Sequence, residues 1–161
     1  MAKHVLNTNE NDFDFALMGI VCPENQYVIL SLVNEALKIN LRLSDYVPFS
    51  LKDGKLFKFS LYNVVDEELN LEYFLIPNTS NFEEPNLNTS EMNDLFKGLD
   101  VDESVKLVKE LPKTNYFLIV KGEDLHYYQF KIMEKLKTIV EIVQVQTIEA
   151  NDLPSKRNLI F

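Results

Sequence analysis

The stretch FDFALMGIVCPENQYVILSLVNEALKINLRL, residues 13–43, carries the pattern that decides the fold. Residues 13–21 are apolar, alternating at first and then continuous, which is typical of a central β-strand. Pro23-Glu24 then stands where a helix can begin, because Pro suits the first turn and an acid suits the positive end. Apolar residues follow at helical spacing; they are Ile29, Leu32, Val33, Ala36 and Leu37. Alternation returns in residues 39–43, so the stretch predicts strand–helix–strand.

The last third of the chain shows the same order. TNYFLIVKG, residues 114–122, reads as a buried strand, and acids then begin a second amphipathic helix. TIVEIVQVQTI, residues 138–148, alternates and predicts a further strand, with Val143 and Val145 expected to be buried.

The middle of the chain reads as a β-meander. Asp53-Gly54 predicts a tight hairpin, and the flanking segments alternate as strands do. Pro48 is expected to interrupt the strand before it, and residues 102–111 are expected to form a helix that Pro112 ends. Together these elements predict an α+β fold: a single mainly antiparallel sheet of about five or six strands, with two long helices packed largely on one face.

The length of 161 residues predicts one domain. We expect a flexible polar segment at residues 1–11 and a single α+β domain at residues 12–161. Within that domain, residues 78–100 are predicted to form an acidic surface excursion. Between residues 78 and 110, eight acids stand against three lysines, so this segment holds more than half of the excess negative charge.

The net charge of −9 excludes several classes of partner. Such a surface repels phosphate backbones and anionic membranes, so neither nucleic acid nor a membrane is an expected partner. No apolar run reaches the ~18–20 residues that a membrane helix needs. The start of the chain does not read as a signal peptide, and the single Cys22 cannot form an internal disulfide. We therefore predict a cytoplasmic protein.

Few residues of the sequence suit catalysis. The two histidines, His4 and His126, are isolated, and with one cysteine they cannot form a zinc site. The sequence has no glycine-rich phosphate loop. We predict no catalytic residue, no metal site and no cofactor, and we favour a function other than catalysis. The residues that could line a polar pocket are Tyr27, Tyr116, His126 and Tyr128, with Tyr127 beside them.

The end of the chain, NDLPSKRNLIF at residues 151–161, is unusual for an acidic protein. A basic pair is followed by three apolar residues, and these five are the candidate partner-binding residues: Lys156, Arg157, Leu159, Ile160 and Phe161. In one interpretation the tail docks on its own domain or across a homodimer, either as an added strand or in a helix groove. In the other it is a free recognition motif for a protein partner. Docking is favoured because an exposed apolar end is an aggregation hazard.

Two stretches resemble the IPExxxVDY family of uncharacterised bacterial proteins. One lies within residues 15–41, and its matching positions are Phe15, Leu17, Tyr27, Leu30, Asn34, Leu37 and Leu41. The other is the close of the chain, residues 158–161. The name-giving motif is degraded: its nearest match, Leu111–Leu118, keeps the Pro and the Tyr-Phe-Leu, has Lys for Glu and Asn for Asp, and lacks the spacer. The resemblance implies a cytoplasmic protein of about this length and no particular activity.

Two hypotheses of function follow. The first is a non-catalytic protein-interaction or regulatory (adaptor) domain, indicated by the acidic excursion and the tail. The alternative is a small-molecule-binding domain or enzyme whose pocket is lined by tyrosines.

Overall fold

The computed structural model describes residues 13–81 and 104–161. The elements, in chain order, are β1 (Ala16–Val21), α1 (Gln26–Leu37), β2 (Arg42–Ser50), β3 (Leu56–Asp66), β4 (Leu71–Pro77), β5 (Thr79–Asn81), β6 (Ser104–Lys106), β7 (Tyr116–Gly122), α2 (Leu125–Leu136) and β8 (Gln144–Ile148). Two 3-10 turns, Ala150–Asp152 and Lys156–Leu159, follow β8. The predicted flexible segment 1–11 and most of the acidic excursion lie outside the described residues.

The strands build one main sheet in the order β2-β3-β4-β7-β1-β8, and every pairing in it is antiparallel. β5 and β6 form a separate two-stranded sheet. The predicted α+β fold with one mainly antiparallel sheet is therefore confirmed. Among the described residues, no helix combines the length and the apolar character needed to cross a bilayer.

Both helices pack on one face of the main sheet, which we call the helix face. Side chains of α1 and α2 meet alternate residues of the central strands there, and the buried set includes Met18, Ile20, Ile29, Val33, Leu75, Leu118, Ile132 and Leu136. The apolar side expected for the amphipathic helix α1 is thus the side that packs on the sheet.

The opposite face, which we call the tail face, carries a second core. Its buried residues come from the sheet, from the loop after β6 and from the 3-10 turns, and they include Leu17, Phe57, Phe59, Phe74, Leu107, Val108, Phe117, Ile119 and Leu159. β7 lies between β4 and β1 and is buried on both faces. This explains why its sequence is a continuous apolar run instead of an alternating one.

α1 begins two residues after the predicted Pro23-Glu24 start. The side chain of Asn25 caps it by accepting hydrogen bonds from the N–H groups of Tyr27 and Val28. At the other end Asn34 holds the chain that leaves the helix, because its side chain donates to the carbonyl of Leu41 (3.2 Å) and accepts from the N–H of Leu41 (2.8 Å). Asn34 therefore has a structural role.

Three sequence expectations are wrong. Pro48 lies inside β2 and does not interrupt it, since an edge strand tolerates a residue without N–H. The described part of the predicted helix 102–111 is β6 followed by turns, because its apolar residues fill the tail face. The strand expected at residues 138–148 begins only at Gln144, so Val143 is 74 % exposed and Val145 is half-buried.

Candidate functional site

A gap in the main sheet forms a concave site. β3 pairs with β4 from Asp66 back to Tyr62, opposite Leu75, and the pairing then stops although both strands continue. The first half of β3 remains paired with β2. The space between the two strands is a notch, open beside the N-terminus of α1, which we call the β3–β4 notch.

The notch has a volume of about 520 Å³. Its walls come from four parts of the fold: the start of α1, the first half of β3, the β4–β5 turn and the start of β7. The lining residues are Asn25, Gln26, Tyr27, Lys58, Ser60, Pro77, Thr79, Ser80 and Tyr116. The size lies within the range of small-molecule sites, and the lining is richer in hydroxyl and amide groups than most such pockets.

Asn78 holds in place the β4–β5 turn that forms one wall of the notch. It is fully buried between the lining residues Pro77 and Thr79, and its side-chain amide donates to the carbonyls of Leu111 and Thr114, both at 3.0 Å. Its side-chain oxygen accepts from the N–H of Val108 at 2.8 Å. The residue thus ties the β4–β5 turn to the loop between β6 and β7. Sequence reasoning assigned it to the polar excursion, and no local signal separates it from its neighbours.

Positive charge and hydroxyl groups meet in the notch. Lys58 lies on its wall, and the ammonium of Lys106 donates to the hydroxyl oxygen of Thr79 at 2.6 Å. Because the oxygen of Thr79 accepts this bond, its O–H can donate to a different acceptor. Lysine ammonium and hydroxyl donors are groups that bind phosphate or carboxylate oxygens.

The buried phenols beside the notch stay protonated near neutral pH. Burial, helped by the nearby Cys22 and Glu24, raises the pKa of Tyr116 to about 12, and its hydroxyl donates to the carbonyl of Glu24 at 2.5 Å. Burial, with Tyr27 nearby, also raises the pKa of Tyr62. These phenols can hydrogen-bond, but they are poor proton acceptors at pH 7.

The structure brings together two of the four predicted pocket residues, Tyr27 and Tyr116. His126 is exposed and lines a different depression of about 260 Å³, at the opposite end of β1. Tyr128 packs against the helix-face core, close to Tyr73. Sequence reasoning missed Lys58 and Ser60, because the strand pattern marks them only as solvent-facing positions. It missed Thr79 because this residue was assigned to the acidic surface excursion.

The chain end packs on its own domain. Leu159 is fully buried in the tail face, the Phe161 ring lies 6.0 Å from that of Phe74, and the Asn158 side chain donates to the carbonyl of Leu107 at 2.8 Å. The tail forms a 3-10 turn here, and not the added strand or helix-groove segment that was expected.

The other three tail residues lie nearer the solvent. Arg157 and Ile160 are exposed, while the ammonium of Lys156 sits 4.8 Å from the centre of the Phe13 ring. Of the candidate partner-binding residues, Arg157 and Ile160 are therefore the ones presented outward.

A carboxylate anchors the start of the tail, because the N–H of Ser155 donates to Glu110 at 2.7 Å. Desolvation by itself would raise the pKa of Glu110. Hydrogen bonds from the backbone of Glu110 and from Ser155 outweigh it and hold this pKa below its ordinary value. Because the pKa of Glu110 is lower in the folded state than in the unfolded state, its carboxylate stabilises the fold. This stabilisation is complete above the unfolded-state pKa and is lost as the pH falls through the folded-state pKa.

Glu110→Gln should therefore lower the melting temperature slightly at pH 7, since the carboxylate is exposed and its effect is screened. The difference from wild type should vanish at about pH 2, where the Glu110 carboxyl of the wild type is protonated in both the folded and the unfolded state. Thermal melts at a series of pH values measure it, with Glu149→Gln as control. A difference that persists at low pH would contradict this account.

Groups of metal-binding type do not gather in the described ranges: no three His, Cys, Asp or Glu side chains there could hold one ion. Cys22 is buried, and burial, with Glu24 nearby, raises the pKa of its thiol. It is therefore a poor nucleophile at neutral pH.

Comparison with known proteins gives no match: no family model, no curated protein and no solved structure is similar to this chain. The resemblance to the IPExxxVDY family stays a prediction.

Proposed function

We propose that this protein is a non-catalytic domain that binds a small anionic molecule in the β3–β4 notch. The observation that carries the proposal is the lining of the notch, where Lys58 shares one concave surface with three residues that carry hydroxyl groups, Tyr27, Ser60 and Thr79. A phosphate or carboxylate group would meet the lysine and the hydroxyl donors. The exposed ring of Tyr27 offers a surface for a planar part of the ligand.

The packing of the tail on its own domain favours this function over the adaptor hypothesis. Its main apolar residues, Leu159 and Phe161, are engaged with the tail face, so they do not offer a free recognition motif. The raised pKa of Tyr116 favours binding over acid–base catalysis, because a phenol that is protonated at pH 7 cannot act as the base.

Ligand retention tests the proposal. The protein is purified gently from cells, denatured, and the released small molecules are identified by mass spectrometry. We expect an anionic metabolite that raises the melting temperature of the purified protein. Lys58→Ala should weaken its binding by at least about tenfold, which is 1.4 kcal/mol. Lys135→Ala, an exposed lysine on α2, should bind as wild type does.

Two results would contradict the proposal. One is a protein that releases no metabolite and gains no stability from any anion in a broad panel at millimolar concentration. The other is a ligand whose affinity is the same in Lys58→Ala and in wild type.

The second candidate function is the protein-interaction or adaptor domain. Its support is a set of exposed apolar side chains on the helix-face side of the β2–β3 hairpin. Leu43 and Tyr46 lie there on β2, and Leu56 lies on β3. A partner protein should be lost from a pull-down with Tyr46→Ser and kept with Lys58→Ala. Loss in Lys58→Ala alone would point to the notch instead.

The buried, unpaired Cys22 suits a reducing compartment, and we propose a cytoplasmic location. The charge of −9 leaves nucleic acid outside the proposed partners.

A further inference from the structure

The two edges of the main sheet differ in how they can meet another chain. β2 forms one edge and β8 the other. An open edge offers a row of N–H and C=O groups to any extended segment, and proteins commonly block that row. The outward groups of each strand decide whether the edge is open.

The β2 edge is blocked. The N–H of Leu51 donates to the carbonyl of Lys55, so the backbone groups of Leu51 face β3. Backbone direction alternates along a strand, so Pro48 and Tyr46 direct their backbone groups outward. Pro48 has no N–H to offer, and the N–H of Tyr46 already donates to the carboxylate of Asp45 at 2.7 Å. A β-bulge at Leu43/Asp45 further distorts this edge.

The β8 edge is open in the described part of the chain. The carbonyl of Ile20 accepts from Asn115, so it faces β7, and the carbonyl of Val21 accepts from Val143, so it faces β8. Val21 is opposite Gln144, and Gly19 is opposite Gln146. Alternate residues of a strand point to opposite sides, so the backbone groups of Val145 and Thr147 point away from the sheet.

The surroundings of this edge are uncharged and partly apolar. β8 has the sequence QVQTI, with neither a charge nor a proline. Val140 and Val143, just before it, are 93 % and 74 % exposed. This edge therefore lacks the blocking devices that β2 carries.

We propose that β8 pairs with β8 of a second copy of this chain, antiparallel and centred on Gln146, to form a continuous twelve-stranded sheet across a twofold axis. In this register Val145 lies opposite Thr147 of the second copy, and the outward N–H and C=O groups of each bond to the other. Gln144 lies opposite Ile148 of the second copy.

The charge pattern selects this occupant. β8 carries no charge from Gln144 to Ile148, and the acids Glu141 and Glu149 lie on either side of it. A second β8 in this register therefore opposes no like charges along the paired strands, whereas an acidic segment would be repelled by the flanking acids. The remaining opposition is the long-range repulsion between two copies of charge −9, which salt screens.

Sedimentation equilibrium of the full chain tests the proposal. We expect a monomer–dimer equilibrium at micromolar concentration, with tighter association at 0.5 M than at 0.05 M NaCl. Thr147→Lys leaves every backbone bond of the fold intact and places a charge at the edge, so it should raise the dissociation constant at least about tenfold. Thr147→Pro removes the outward N–H and should do the same.

Ser50→Lys, at the equivalent position of β2, is the matched control and should leave the dissociation constant unchanged. A wild type that is monomeric at about 200 μM would overturn the proposal, as would a dimer that Thr147→Lys does not weaken. Lys58→Ala should not affect association, because the notch lies at the other end of the strand order. Failure of the dimer thus leaves the proposed ligand function untouched.

Discussion

Replacing Asn78 by alanine is expected to lower the free energy of unfolding by at least about 3 kcal/mol. The change leaves the carbonyl of Thr114 and the N–H of Val108 without their partner, and each unsatisfied buried group costs roughly 1–3 kcal/mol. The carbonyl of Leu111 loses one of two donors and keeps the N–H of Thr114. Asn78→Asp should be worse, because its carboxylate would face two carbonyl oxygens and offer no donor.

Urea unfolding of the purified variants measures the loss. Asn25→Ala is the matched control: it removes an exposed helix cap and should cost about 1 kcal/mol. A loss for Asn78→Ala no greater than that of Asn25→Ala would show that Asn78 does not tie the β4–β5 turn to the loop before β7.

A second large loss of stability is expected for Leu159→Ala. Leu159 is fully buried in the tail face, and removing such a side chain costs about 2–5 kcal/mol. For a protein of this size the melting temperature should fall by about 5–15 °C. The neighbouring Ile160 is 41 % exposed, so Ile160→Ala is the control and should shift the melting temperature by no more than a few degrees.

Deletion of residues 158–161 should destabilise the protein more than Leu159→Ala does. It also removes the hydrogen bond from Asn158 to Leu107 and the contact between Phe161 and Phe74. Differential scanning calorimetry measures both variants. If neither change moved the melting temperature, and a cellular partner were lost instead, the free recognition motif would be the better interpretation of the tail.

The sheet and the helices were predictable because their signals are local and long. The apolar face of α1 and the continuous run of β7 follow from periodicity alone. The structure of the tail-face core could not be predicted, because Leu107, Val108 and Leu159 lie in turns. Turns show no regular spacing of apolar residues that a sequence pattern could reveal. The same limit explains the helix predicted at residues 102–111, whose described part from Ser104 onward has apolar spacing that suits a helix but side chains that fill the tail face.

The candidate site was predictable only in part. Tyr27 and Tyr116 could be named as pocket residues, but their meeting depends on the place where β4 stops pairing with β3. Lys58 belongs to the notch for the same reason. Where a strand pairing ends is a property of the whole sheet, and no residue of β3 or β4 signals it.

The position of β1 between β7 and β8 sets an order of events during synthesis. Ala16 pairs with Val120, and Leu17 pairs with Ile148, so both neighbours of the first strand are made long after it. The β2–β3–β4 meander can assemble early from contacts between successive strands, whereas β1 and the inner side of α1 have no permanent partner until the last third of the chain emerges. An apolar strand is therefore left unpaired on the growing chain, and this is the state in which the protein is most open to aggregation or to capture by a chaperone.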